Sequence, residues 1–361
     1  MTEAALPITP APMEGHGVYN RSSQVQAAGS SPALSLMEQA ATQVALAPAP
    51  EPIVVADYGS SQGHNSLAPM RVAIAALRRR AGPSQAISVV HTDLPDNDFA
   101  VLFRMLAEDP ESYQRGDPLV FASAVGRSFY EQLLPAASVT LGWSSWAIHW
   151  LSRVPAEIPD HIQSAFSQDG GAREAYARQA AEDWQNFLAC RGREIRPGGR
   201  LVLLNMALDD AGSFGYGPIV QAIYDGLLTL VEEGFVAKEE VRRMAIPTVG
   251  RSLEQFRAPF KEGGHFAGLV IEHLQLFLGE DRIWAEYERS RDAQAFAVRW
   301  VAFSRASVFP TLAAELSGGQ SDPRAGEFMD RLEAEIVARL AASPVPMEMP
   351  LARMLLVKQG G

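Results

Sequence analysis

The chain has 361 residues with 42 acidic and 31 basic side chains, a formal charge of −11. That balance argues against a nucleic-acid binder, because neutralising phosphates takes a local excess of Lys and Arg, and the dense basic run Arg78-Arg79-Arg80 reads as a solvated helix end. With 47% apolar and 20% charged residues the composition is that of a globular protein of two domains, or of one domain carrying a large insertion.

Residues 1–12, rich in Pro, Ala and Thr, read as a floppy lead that lacks the basic region and apolar core of a secretory signal. From Ser22 the spacing of Val25, Ala28, Leu34, Leu36 and Met37 predicts a broken helix ending near Leu46, before a Pro-rich linker over 47–52; this segment stands outside the core. An apolar run at 53–57, a small-residue turn, a helix over about 65–80 and a second run at 87–91 form one βαβ unit. Further strands are predicted at 119–122, 138–141 and 201–205, the last after the turn signal Pro197-Gly198-Gly199. Residues 207–262 and about 285–316 read as helical, and 266–277 and 349–357 as two returning strands. The alternation predicts an α/β fold, a mostly parallel sheet with helices on both faces. Cys190, the single cysteine, cannot close an internal disulfide, no Cys and His cluster has zinc spacing, and no apolar run approaches the ~18 residues of a membrane span. A cytoplasmic chain without metal is expected.

The loop Asp57-Tyr58-Gly59-Ser60-Ser61-Gln62-Gly63-His64-Asn65 holds two glycines where a ligand can approach closely, yet it spells neither the dinucleotide glycine pattern nor the phosphate-loop lysine motif. Read alone it is either a cofactor loop or an ordinary turn. At the end of the second strand Asp93 either accepts both hydrogen bonds of a ribose diol or caps the following helix. Asp96, Asn97 and Asp98 are read as capping and loop-bonding groups.

These stretches belong to a longer series. Met13-Glu14-Gly15-His16-Gly17-Val18-Tyr19 with Ser23 and Gln26, residues 56–65, Asp93-Leu94-Pro95-Asp96-Asn97-Asp98-Phe99, Gly126-Arg127-Ser128-Phe129-Tyr130, and Trp143-Ser144-Ser145-Trp146-Ala147-Ile148-His149-Trp150 follow one another in a familiar order. In that order and spacing the chain resembles, over nearly its whole length, the SABATH methyltransferases. That family moves a methyl group from S-adenosyl-L-methionine to small carboxylic acids such as salicylate, benzoate, jasmonate and indole-3-acetate, and in some members to ring nitrogens.

The resemblance implies the class I methyltransferase (Rossmann-like) sheet under a mainly helical substrate cap. The parts would be an N-terminal lid segment over 1–51, the methyltransferase core over 52–208, a helical cap over 209–262, a return to the core over 263–284, a second cap part over 285–325, and a C-terminal core helix and strand over 326–361. Cofactor contacts are implied at Tyr19, Ser23, Asp57, Gly59, Asn65, Asp93, Leu94, Ser128, Phe129 and Ser144. Gln26 and Trp150 would hold the acid's carboxylate as the catalytic pair, with Tyr19, Trp146, His149, Ile219 and Val220 around the substrate. A homodimer is implied as well.

The chemistry fits those residue types. An in-line transfer to an acid already ionised at neutral pH needs aim and dryness rather than a base. The amide of Gln26 and the indole of Trp150 are neutral donors that orient a carboxylate without adding a charge that would quench it. From periodicity alone Trp150 is equally a core tryptophan, and His149 is a substrate donor, a base or a satisfied core histidine. Trp146 stands where the family places Tyr, reshaping the pocket floor, and Val220 stands beside Ile219 where a cap tryptophan is expected, so a flat aromatic clamp is missing there. The Ala- and Arg-rich composition suggests a bacterial member. The alternatives are an N- or phenol-O-methyltransferase of the same family and an inactive cofactor-binding member; a nicotinamide oxidoreductase lacks its glycine fingerprint.

Overall fold

Residues 24–46 and 48–360 are described by the computed structural model, with side chains from Pro32 onward. Helix α1 (Gln24–Gln43) runs unbroken through Pro32, and its Ala33, Leu36, Met37, Ala40 and Ala41 are buried. The segment expected outside the core is therefore part of it. Strand β1 (Ile53–Tyr58), helix α2 (Leu67–Ala81) and strand β2 (Ile87–Asp93) make the βαβ unit. Helix α2 buries Leu67, Met70, Ala73, Ile74 and Leu77, a stripe at helical spacing that faces the sheet and α1. Its last turn is less solvated than its charges suggest: Arg78 donates to the carbonyls of Gly82 and Gln85, and Arg80 to those of Ala41 and Val44.

Next come α3 (Phe99–Glu108), β3 (Val120–Gly126), β4 (Val139–Ser145), α4 (Gly170–Glu194) and β5 (Ile195–Met206). Strand β5 starts six residues before the predicted position. Pro197-Gly198-Gly199 lie inside it as an irregularity in the pairing with β4, not as a turn. The chain continues through α5 (Gly217–Glu232), β6 (Leu269–Leu278), α6 (Arg282–Ser290), α7 (Ala293–Ser307), α8 (Ala325–Ala342) and β7 (Pro350–Lys358).

The seven strands form one sheet in the order β3-β2-β1-β4-β5-β7-β6, with β7 antiparallel to both of its neighbours. Strand β1 pairs with β2 on one side and β4 on the other, which opens a crevice at its carboxyl end, the usual ligand position in such sheets. Helix α8 packs on both α5 and α7 beyond the sheet. Helix α8, assigned by sequence to the C-terminal core unit, thus lies against the cap helices. The stretch 207–262 is helical only in part: Gly212, Gly215, Pro247 and Gly250 interrupt it. Thr248 bridges to Trp150 and Arg251 to Ala207, so the extended piece between the short helices ties the cap to the loops that follow β4 and β5.

Candidate active site

The turn after β1 is held by the tip of β2. Gly59 and Ser60 donate their N–H groups to the Thr92 carbonyl at 2.9 and 3.0 Å. Ser61 N–H donates to one carboxylate oxygen of Asp93 at 2.7 Å, and Leu94 N–H donates to the other at 2.8 Å. Asp93 is therefore not the cap of α3. That role belongs to Asp98, which accepts from Val101 N–H, while Asn97 donates to the Ser61 carbonyl, as the loop-bonding reading expects. Burial pushes the Asp93 carboxyl up to about 6 against the opposing pull of its two N–H donors.

Asp57, at the end of β1, is buried, and its Oδ2 accepts from the Ser66 hydroxyl at 2.5 Å and faces His91 Nδ1 at 2.8 Å. Ser144 is likewise buried, and its hydroxyl donates to the Tyr58 carbonyl at 2.8 Å, cross-linking β4 to β1. Both side chains lie near the carboxyl ends of their strands, where the crevice opens. Gly59 adopts φ +84°, and a Cβ there would lie 2.4 Å from Cβ of Ala147 and 3.6 Å from the Phe129 ring. The glycine lets three chain segments meet: the β1 turn, the loop after β3 and the loop after β4. Asn65 lies in the short turn His64–Ser66 that leads from this loop into α2.

The loop after β3 carries Ser128 and Phe129. Arg127 N–H donates to the Asp93 carbonyl at 2.7 Å, and the Phe129 ring packs against Tyr130 and Phe187. A buried ion pair in α4 fixes this loop. Arg191 donates to the Phe129 and Glu131 carbonyls, and Glu194 accepts from Arg191, from the N–H groups of Leu133 and Leu134, and from the Tyr58 hydroxyl. Sequence reasoning missed Glu194.

Beyond the crevice the loop after β4 and the cap enclose a cleft of about 610 Å³, part of it continuous with solvent. Trp146, His149, Trp150, Ile219 and Val220 line it, which brings together five of the expected substrate residues. Phe214, Tyr216 and Phe303 add aromatic wall that the sequence did not show, and supply what Val220 lacks; Gln163 and Thr248 were missed too. No Lys, Arg, Asp or Glu lies among the described residues of the lining. Gln163 donates to both the carbonyl and the hydroxyl oxygen of Thr248, which leaves the Thr248 proton available to the cleft. Gln163, Phe214, Tyr216 and Thr248 lie outside the long helices and strands, where no periodicity marks them, and Phe303 on α7 reads as an ordinary core residue.

Trp146 stands at φ +56° with its N–H bonded to the Leu204 carbonyl, an unusual conformation for an aromatic residue that turns the chain sharply after β4. Tyr130 donates its hydroxyl to the Trp150 carbonyl at 2.6 Å. Burial, helped by the Arg251 guanidinium, holds the His149 imidazole down to about 3, so it is neutral at physiological pH, and its buried Nδ1 has no partner among the described residues. Arg251 itself donates to the carbonyls of Ile148 and Ala180 and holds the loop from behind. Tyr19 and Ser23 lie outside the described residues. Gln26 lies in α1, but its side chain is outside them as well.

A family model described as SAM dependent carboxyl methyltransferase matches residues 11–352. Methyltransferase FUS9 of Gibberella fujikuroi is 31% identical over 254 residues, 70% of this chain and 67% of its own length. Indole-3-acetate O-methyltransferase 1 of Arabidopsis thaliana is 29% identical over 294 residues, 74% and 75% of the two chains. The solved structure of loganic acid methyltransferase with SAH, 24% identical, has the same fold, with a TM-score of 0.76 over 97% of this chain and 99% of that one. These relatives by sequence are fungal and plant proteins and lend no support to the bacterial origin expected from composition.

Proposed function

The chain belongs to the SAM-dependent carboxyl methyltransferase family, and from that premise we propose that it forms the methyl ester of a small, largely apolar carboxylic acid in the cleft beside Trp146 and Trp150. The observation that carries this reading is the cleft's composition: an aromatic and aliphatic wall with neutral donors and no charged side chain among its described residues, opening beside the β1 crevice. An acid's body is buried there while its carboxylate keeps its nucleophilic lone pair.

The residues at the strand tips fit S-adenosyl-L-methionine. Asp93 is half-buried, and each of its oxygens accepts one backbone N–H, so each keeps a lone pair for a ribose diol. Gly59, Asn65, Leu94, Ser128 and Phe129 border that position, with Asp57 and Ser144 near the strand ends beside them. When bound, the cofactor supplies a sulfonium methyl group: its C–S bond breaks as a carboxylate oxygen forms the new C–O bond, leaving a neutral thioether, an ester and no proton to move.

What remains for the chain is aim and dryness. Trp150 and Gln26 donate to the carboxylate, and Trp146, Ile219 and Val220 hold the apolar body against water. Tyr19, Ser23 and Gln26 reach the site from the lid segment, residues 1–51. His149, held neutral, serves as a donor or acceptor to the substrate and not as a base. On its single cysteine we place the protein in the reducing cytoplasm, and on the family resemblance as a homodimer.

Incubation with methyl-labelled S-adenosyl-L-methionine and a panel of aromatic and aliphatic acids, followed by mass spectrometry, tests the reading. Methyl esters that vanish when the substrate's carboxyl is blocked support it. Product that survives blocking points to N- or phenol-O-methylation, and cofactor binding without product from any acid points to an inactive member. Trp150→Ala and Gln26→Ala are expected to lower acid turnover at least about tenfold with cofactor affinity nearly intact.

A further inference from the structure

Tyr216 precedes α5 in the left-handed region, at φ +59° and ψ +11°. Both features run against local preference. A bulky side chain is rare at positive φ, and the residue before a helix is ordinarily Ser, Thr, Asp, Asn or Gly, whose small side chain caps the first turn. Tyr216 makes no side-chain cap. The surrounding chain enforces this conformation: Tyr216 N–H donates to the Glu348 carbonyl at 3.0 Å, and the preceding Gly215, at φ +73°, lies so close to the segment entering β7 that a Cβ would sit 2.4 Å from the same oxygen. The tyrosine is thus held rigidly in the cleft wall. It is 2% exposed, and its buried hydroxyl has no hydrogen-bond partner among the described residues.

We propose that Tyr216 determines specificity: its hydroxyl donates to a second, uncharged oxygen, a hydroxyl or oxo group, carried by the acid that this cleft binds. The inference rests on the carboxyl-methylation reading and narrows it. A buried phenol left unpaired is costly, and a purely hydrocarbon acid would cover it without satisfying it. Burial pushes the Tyr216 phenol well above its ordinary range, so it stays a donor at any working pH. A second carboxylate is the wrong partner, since no Lys or Arg stands among the described lining residues to neutralise it. Backbone conformations this strained persist where the fold over-determines them, and they gather at binding sites. Trp146, also at positive φ, lines the same cleft.

The test uses the full chain and pairs of acids that differ only by a hydroxyl or oxo group on an otherwise apolar body, with the matched dicarboxylic acid as a third arm. Two readouts are taken: kcat/KM for methyl ester formation, and Kd from quenching of tryptophan fluorescence with S-adenosylhomocysteine present. The wild type is expected to favour the oxygenated acid at least about tenfold in both and to discriminate against the dicarboxylate, and Tyr216→Phe to bring the oxygenated-to-plain ratio near one. A wild-type ratio near one overturns the proposal without any variant, and so does a ratio that survives Tyr216→Phe or a preference for the dicarboxylate. Esters formed with no preference leave carboxyl methylation standing and remove this inference; tenfold tighter binding of the oxygenated acid with no ester formed does the reverse.

Discussion

His91 Nδ1 lies 2.8 Å from the carboxylate of Asp57, and His91 Nε2 lies 2.7 Å from the Tyr113 hydroxyl, all three side chains being buried. With Asp57 accepting, Nδ1 carries the proton and Nε2 takes the tyrosine's. The chain ties the tip of β1 to the segment between α3 and β3, and it keeps the Gly59 turn in place from below. His91→Phe would leave a buried carboxylate with only the Ser66 hydroxyl and would orphan the phenol. We expect a loss of about 2–4 kcal/mol in urea unfolding together with weaker cofactor binding, against about 1 kcal/mol for Tyr113→Phe. A His91→Phe protein within about 0.5 kcal/mol of the wild type would show that the relay is incidental.

Two groups of the site tilt stability in opposite directions with pH. Asp93 titrates at about 6 in the fold against an ordinary 3.8, so the folded chain keeps a proton that the unfolded chain has lost, and stability falls as pH rises from about 4 to about 6. His149 titrates at about 3 against 6.5, so the unfolded chain takes a proton that the fold refuses, and stability falls as pH drops below about 6.5. Unfolding free energies of wild type, Asp93→Asn and His149→Gln between pH 4 and 7.5 separate the two. Asp93→Asn removes the penalty above about pH 6, and His149→Gln removes the acid-side loss. The proposed ribose contact adds a second readout: a protonated Asp93 gives up part of its accepting capacity, so affinity for S-adenosylhomocysteine is expected to weaken as pH falls through about 6 and to become flat in Asp93→Asn.

Glu194 serves four donors at once, and its distance in sequence from the loop it fixes explains why it was illegible. Glu194→Gln removes the charge that Arg191 faces in a fully buried pair and breaks the geometry at Leu133, Leu134 and the Tyr58 hydroxyl. An uncompensated buried guanidinium costs about 3–5 kcal/mol. Thermal unfolding is expected to show that loss, with cofactor affinity falling alongside as the loop bearing Ser128 and Phe129 loosens. Unchanged affinity in a folded Glu194→Gln protein would separate the loop from the cofactor.

The contrast between what was readable and what was not follows from the range of each interaction. Strands β1, β2 and β4 are continuous apolar runs that end at the site, so Asp93 and Trp146 could be placed from local pattern and block order together. The interruptions in 207–262 were hidden because the apolar spacing of α5 continues visually across Gly212 and Pro247, whereas the backbone there is pulled into pairing with the loops after β4 and β5. Burial of α1 depends on a groove made by α2 and β5, which no window of the sequence contains. For Asp57 and Ser144, whether a carboxylate or hydroxyl faces a ligand depends on partners such as His91 and Tyr58 that only the fold supplies.

Gly59 offers the sharpest test of how the two halves of the site are joined. Its turn and the Ala147 loop touch with no room for a methyl group: a Cβ would come within 2.4 Å of the Ala147 side chain, at a φ of +84° that alanine also resists. Gly59→Ala must therefore push the β1 turn and the loop after β4 apart, the proposed cofactor and acceptor sides of the site. We expect it to cost about 2–4 kcal/mol from backbone strain and overpacking together, and to lower cofactor affinity and acid turnover in parallel. Ala147→Gly removes the opposing methyl, so the double variant is expected to recover about 1 kcal/mol or more relative to the sum of the single changes, which a double-mutant cycle on unfolding free energy measures. The backbone part of the cost remains, since φ stays positive. Strict additivity would mean that the two loops relax independently, and the coupling of donor and acceptor positions through this contact would then be wrong.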